Sequence, residues 1–436
     1  MKRFGLQWIG KSSSTKLAER SPQSSLQLSA SSRVQDTKGE LADNTHELII
    51  GENLEALKVL RESEVRVDVI YIDPPYNTGK DFLYSDHAQP DLSEADYSDL
   101  TSKERSHCAW LSMMRSRLLV SHDLLEDRGS VWVSIDDHEL AHLLLLMNEI
   151  FGEENHIATL ITSLNPKGRQ LGRFAVNHEY LLVFAKSLPH CDMKYATQEA
   201  VNPKDFRHQD DQGRFRYLPL RNSNKRFNPS TRPTLYYPLY VHPDTREVSA
   251  DPQPEWIEVS PVFGSGEPAV WRWSKQKVSA LGHTLEGSVI NGRLGARWDV
   301  RQKDYNSEER TKKLKTVWRS DEVGSTDEAA REVKELGLAL FETPKPTRLL
   351  KRILALTPPD AVVLDFFAGS GTTGEAIINQ NLSDGGERRF ILIQSSNPID
   401  DERFAHISDI TRERLALVSQ RSPKAAPIRI WTLSPH

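Results

Sequence analysis

The chain has 436 residues and a net charge of 56 − 61 = −5, with 38% apolar and 27% charged residues. This is a globular composition long enough for two or three domains, and it excludes a chain that is basic throughout. The densest apolar stretch, Leu143 to Met147, is too short to cross a bilayer, and no apolar h-region follows the opening Met-Lys-Arg-Phe-Gly. Cys108 and Cys191, the only cysteines, exclude a disulfide framework and a zinc ribbon, and the 14 His show no ligand spacing, so a reducing, cytoplasmic setting is expected.

Residues 12–32 contain nine Ser and few large apolar side chains, so residues 1–45 read as a flexible arm. A strand is expected at Glu47–Gly51, then a helix over Asn53–Leu60 with Leu54, Leu57 and Leu60 on one face. The pattern next predicts a strand at Val67–Ile72, a helix at 109–125, a strand at Ser130–Ile135, a helix at Asp136–Ile150 and a strand at Tyr180–Ala185. After about residue 187 the chain becomes rich in Pro, Arg, Asn and aromatics, without clear periodicity. Alternation resumes with helices near 327–340 and 346–356, a strand at Ala361–Phe366, a helix opening at Thr372 and a strand at Phe390–Gln394. Strands alternating with helices predict an α/β domain with a parallel sheet. It is split into 46–187 and 321–436 by a module at 188–320.

Charge follows the same partition. Residues 201–320 carry 21 − 14 = +7, which leaves −5 − 7 = −12 for the remainder, and five of the nine Trp (256, 271, 273, 298 and 318) lie there. Basic side chains interleaved with aromatics suit phosphate contact and base stacking, and Trp residues forming a small core are the plain alternative. Arg214, Arg216, Arg221, Lys225 and Arg226, with Arg272 and Trp273, are the candidates for nucleic-acid contact.

Two motifs carry chemistry. Asp73-Pro74-Pro75-Tyr76 follows a buried strand, where active sites of open α/β sheets form. The prolines stiffen the loop, and one carboxylate with fixed carbonyls suits an exocyclic amine. Acceptance of its two N–H bonds by Asp73 and the Pro74 carbonyl would localise the nitrogen lone pair, while Tyr76 stacks on an extruded base. The second motif, Asp365-Phe366-Phe367-Ala368-Gly369-Ser370-Gly371-Thr372-Thr373-Gly374, joins an apolar strand to a helix. Its glycines permit close approach of a ligand, and no Lys follows them, which disfavours a phosphate-binding NTPase.

Together the motifs resemble those of DNA amino-methyltransferases, which use S-adenosyl-L-methionine. The catalytic motif precedes the cofactor motif with a basic insert between, an order that resembles the β class, and Asp at the first position resembles the adenine-N6 enzymes. Further segments narrow the resemblance to modification (Mod) subunits of type III restriction-modification systems: Gly51-Glu-Asn-Leu-Glu-Ala-Leu57, Tyr76 to Phe82 with Tyr84, and Ser134-Ile-Asp-Asp-His-Glu139. His178-Glu-Tyr-Leu-Leu-Val-Phe184, Trp271-Arg-Trp273 and Phe341-Glu-Thr-Pro-Lys-Pro346 add to it.

The resemblance implies a Rossmann-like, class I S-adenosylmethionine-dependent methyltransferase sheet with circularly rearranged motif order and an inserted α+β target recognition domain. It implies catalysis by Asp73, Pro74, Pro75 and Tyr76. Cofactor contacts are implied for Asp73, Thr343, Lys345, Pro346, Asp365, Phe367, Ala368, Gly369, Ser370, Gly371, Thr372, Thr373 and Gln394, with Lys345 pairing the cofactor carboxylate. The implied partners are double-stranded DNA, a second copy of the chain and a restriction subunit. The reaction needs no metal, because a sulfonium is already an activated leaving group. Cytosine-N4 or RNA methylation by the same fold, and a catalytically silent DNA-binding subunit, are the alternatives.

Overall fold

Val67–Ile72 is buried at all six positions and lies near the middle of a ten-stranded sheet. The computed structural model describes residues 5–29, 45–78, 100–168, 173–198, 203–292, 295–306, 311–338, 344–422 and 425–435. Its contacts define two compact units, Met1–Tyr195 with Lys313–His436, and Ala196–Lys312.

In chain order the strands of the first unit are β1 (Ser24–Leu28), β2 (His46–Ile50), β3 (Val67–Ile72), β4 (Leu125–Ile135) and β5 (His156–Thr162). β6 (Glu179–Ala185), β7 (Val317–Trp318), β8 (Val362–Asp365), β9 (Arg389–Gln394) and β10 (Ile428–Pro435) follow. They lie side by side as β1-β10-β2-β9-β8-β3-β4-β6-β5-β7. The run from β10 to β4 is parallel, β6 is antiparallel to β4 and β5, and β1 is antiparallel to β10.

The helices of this unit include α1 (Lys11–Glu19), α2 (Asn53–Glu62), α3 (Ser102–Leu124), α4 (Leu140–Phe151), α5 (Thr326–Glu335), α6 (Thr347–Leu354), α7 (Thr372–Asp384) and α8 (Ile407–Gln420). Side chains alternate across the sheet, as the pleat requires. Ile70, Ile72 and Leu364 pack with Leu57, Trp110 and Leu146 from α2, α3 and α4. Val69, Tyr71 and Val363 pack with Leu350, Ile377 and Leu415 from α6, α7 and α8. Helices thus cover both faces, and the central strands read as continuous apolar runs.

Three expectations need correction. The arm is ordered over residues 5–29: α1 packs on α3, Trp8 Nε1 donates to Ser112 Oγ at 2.9 Å, and Lys11 pairs with Glu149 at 2.6 Å. Serines give a weak helical signal, which these tertiary contacts outweigh. α3 begins at Ser102, well before 109, because Thr101 and Glu104 form a capping box. α4 begins at Leu140, not Asp136, because the Asp136 carboxylate accepts the His138 N–H at 2.9 Å and holds a turn.

The second unit holds an antiparallel four-stranded sheet, in which Gly295–Tyr305 pairs with Leu285–Gly292 and Gly213–Pro219, and His208–Asp210 lies on the outer side of Gly213–Pro219. A three-stranded sheet centres on Leu239–Val241, and the core includes Leu239, Val241, Trp271, Trp273 and Val300. The unit is narrower than the 188–320 expected. Ala196–Lys312 carries 18 − 15 = +3, and Trp318 belongs to the first unit, where it is buried. No helix among the described residues is long and apolar enough to cross a membrane.

Candidate active site

β3 and β8 are neighbours in register, with Val69 opposite Val363 and Ile70 opposite Leu364. Their carboxyl ends therefore deliver Asp73-Pro74-Pro75-Tyr76 and the Asp365–Gly371 loop side by side, although the motifs lie almost 300 residues apart in sequence. Strand pairing brings the two halves of the split domain together here.

Asp73 stands at the centre of a four-residue cluster. The Tyr76 hydroxyl donates to Asp73 Oδ1 at 2.6 Å. Lys345 Nζ donates to Tyr76 Oη at 2.6 Å and to Glu179 Oε2 at 2.9 Å, and lies 3.1 Å from Asp73 Oδ1. The ammonium thus donates two hydrogen bonds and forms an ion pair with Asp73. The Lys345 ammonium here serves Asp73, Tyr76 and Glu179. Burial raises the Asp73 carboxyl above the ordinary carboxylate range, Lys345 opposes that rise and Glu179 adds to it. Burial also pushes Tyr76 well above its ordinary range, assisted by Asp73 and Glu179, so it is a neutral phenol. For Lys345 burial alone would lower the value, but Asp73 and Glu179 raise it, so it remains a cation.

The loop is braced from behind. Trp110 Nε1, on α3, donates to the Pro75 carbonyl at 2.6 Å. Asn77 adopts a left-handed backbone (φ 57°), which Asn tolerates better than most residues, and its Nδ2 donates to Glu139 Oε1 at 2.5 Å. Ser106 Oγ donates to Asn77 Oδ1. Among the described residues, neither Asp73 Oδ2 nor the Pro74 carbonyl has a protein partner.

The second loop is held from beneath. Asp365, 2% exposed, accepts the Phe367 N–H at 3.0 Å and the Thr373 hydroxyl at 2.5 Å. Burial raises its carboxyl to about 7 against those two bonds. Gly369 (φ 54°) and Gly371 (φ 85°) are left-handed, and Gly371 caps α7. The Gly369 N–H donates to Gln394 Oε1 at 2.7 Å, and its carbonyl accepts the Thr411 hydroxyl at 2.6 Å. Buried Arg414 donates to Ser370 Oγ at 2.7 Å and Thr372 Oγ1 at 2.8 Å. Asn53 Nδ2 supports the Phe366 carbonyl at 2.8 Å. Gly369 is half-buried, while Phe367, Ala368, Ser370, Gly371, Thr372 and Thr373 are buried. Left-handed glycines at the start of a helix give a backbone cradle that fits the hydroxyl and carboxylate groups of a nucleoside cofactor.

Some expected residues stand elsewhere. Gln394 is 1% exposed, with its carboxamide bonded to Gly369 and Ser395, so it shapes the loop. Pro346 is buried before α6. Thr343, and Gly79 to Tyr84, lie outside the described residues. In the second unit Arg216 pairs with Asp304 at 2.8 Å, Arg221 with Asp299 at 3.4 Å and Lys225 with Glu267 at 3.0 Å. Trp273 is a core residue under Lys277, whose Nζ lies 4.4 Å from the ring centre. Arg214, Arg226 and Arg272 are exposed, without an ion pair among the described residues. Glu179 and Trp110 were not singled out by sequence reasoning. Glu179 sits inside a quoted segment, whereas nothing local marks Trp110.

A model of the N6/N4 methyltransferase family, described as DNA methylase, matches residues 67–399. The Type III restriction-modification enzyme EcoPI Mod subunit of Escherichia phage P1 is 34% identical over 96% of this chain and 68% of its own. The Type II methyltransferase M.KpnI of Klebsiella pneumoniae is 35% identical over 88% of this chain and 90% of its own. The crystal structure of an M1.HpyAVI–SAM complex is 13% identical with a TM-score of 0.36, over 85% of this chain and 99% of that one.

Proposed function

This chain belongs to the N6/N4 family of S-adenosylmethionine-dependent DNA methyltransferases, and on that premise we propose that it methylates adenine N6 at a specific sequence in double-stranded DNA. The cofactor, when bound, supplies a methyl group already activated on a sulfonium. The residues that fit it are the Phe367–Thr373 cradle, shaped by Asp365 and Gln394, with Pro346 nearby in sequence to Lys345.

One observation carries the reading. Asp73 Oδ1 is anchored by Tyr76 and Lys345, while Oδ2 and the Pro74 carbonyl, without a partner among the described residues, are placed to accept the two N–H bonds of an amine. Two acceptors draw the nitrogen lone pair out of the ring and orient it for in-line attack. The Pro75 carbonyl already accepts the Trp110 indole N–H, which fixes the loop behind the two acceptors. Asp73 Oδ2 would take the proton that the amine nitrogen loses as the sulfonium–methyl bond gives way to the N–C bond, and the raised proton affinity of this carboxyl suits that role. Lys345 opposes the rise in the Asp73 carboxyl and so favours its ionised form beforehand. Tyr76 offers its ring to a base turned out of the duplex.

Arg214, Arg226 and Arg272 are the proposed phosphate contacts. A homodimer, and a restriction subunit as in type III systems, are the proposed protein partners. The test is transfer of labelled methyl to DNA by purified protein. Asp73→Ala is expected to lose transfer while still binding the cofactor, and undiminished transfer would overturn the mechanism.

A further inference from the structure

Glu139 is 0% exposed, and no Lys or Arg among the described residues pairs with it. A buried carboxylate without a cation is costly. What faces it instead is a pair of imidazoles: His107 Nδ1, from α3, lies 2.6 Å from Oε1, and His142 Nδ1, from the first turn of α4, lies 2.7 Å from Oε2. The ring centres are 4.7 Å apart, and the three ligand atoms fall within 4.8 Å of one another. Ligands of a tetrahedral zinc ion at its usual bond lengths sit roughly 3.4 Å apart, so small side-chain rotations open this set to a metal. Asn77 Nδ2 already donates to Glu139 Oε1, the outer-sphere contact that orients a ligating carboxylate.

We propose that His107, Glu139 and His142 form a binding site for a divalent ion of the zinc class, with one coordination position left to water. Two imidazoles and one carboxylate are a zinc donor set. The site ties α3 to α4 behind the catalytic loop: Asn77 is the residue after Tyr76, and Trp110, one turn after His107, holds the Pro75 carbonyl. The ion braces the loop and has no part in methyl transfer.

The sequence string is His138-Glu139-Leu140-Ala141-His142, a spacing that on one continuous helix would place both His on a metal. Here the helix starts only at Leu140 and His138 turns to Asp136 at 2.9 Å, so His107 takes its place in the cluster. The grouping of His107 with His142 is not visible as a spacing in the sequence, because the two lie 35 residues apart.

The test uses the full chain, stripped with chelator and titrated with zinc against a chromophoric competitor. About one zinc per chain is expected, and His142→Ala should weaken binding by more than about 100-fold, the upper end of what losing an outer-sphere partner costs. His107→Ala should do the same, and His138→Ala should bind as wild type. His142 is one-third exposed, so its removal leaves the fold intact, which circular dichroism checks. Less than about a tenth of an equivalent of zinc, or unchanged affinity in His142→Ala, would overturn the site.

Discussion

At Lys345 a single ammonium holds two carboxylates and a phenol in one geometry. Lys345→Met leaves Asp73 and Glu179 facing each other without a cation. Loss of one partner from a buried pair costs about 3 kcal/mol at the low end, the appropriate end here because both carboxylates keep some solvent contact. Asp73 then binds its proton more tightly, so the acidic limb of the pH–rate profile moves to higher pH, which methyl-transfer assays across pH report. Tyr76→Phe keeps the ring and removes the hydroxyl that donates to Asp73. A hydrogen bond to a charged group contributes about 1.5–3 kcal/mol to stability, so the variant should be less stable by up to that amount, and kcat/KM should fall as Asp73 loses an anchor, which urea titration and methyl-transfer assays report.

At the scale of elements, the two loops work because parallel strands end side by side, and each loop is fixed by its own carboxylate or carbonyl. Asp365 is raised from 3.8 to about 7, so ionising it opposes folding. Its favourable state is complete below 3.8 and is lost as pH rises through about 7. Asp365→Asn lacks that charge, so its stability relative to wild type should improve between pH 4 and pH 8, as paired urea titrations would report. These loops were legible in sequence because buried strands are continuous apolar runs and Pro and Gly punctuate their ends. α1 was not, because its serines carry weak propensity and its stability comes from Trp8 and Lys11 on α3 and α4. β5, β7 and β10 were missed as well. The Glu179–Lys345 and His107–Glu139 meetings were also hidden, since each joins residues from elements that only the sheet brings together.

For the whole molecule, the charge argument shrinks. The inserted unit carries +3, not +7, and its ion pairs with Asp299, Asp304 and Glu267 engage Arg221, Arg216 and Lys225. Salt dependence of DNA affinity should therefore rest on Arg214, Arg226 and Arg272. Each alanine variant should flatten the slope of log K against log salt by about 0.9. Arg216→Ala and Arg221→Ala should lower stability while leaving the slope near wild type. The central claim is the identity of the accepting atom, and the most direct measurement is nucleoside analysis of DNA incubated with purified protein and methyl-labelled cofactor. The account predicts label in N6-methyldeoxyadenosine at one recurring sequence. Label in N4-methyldeoxycytidine, or none in DNA, would contradict it.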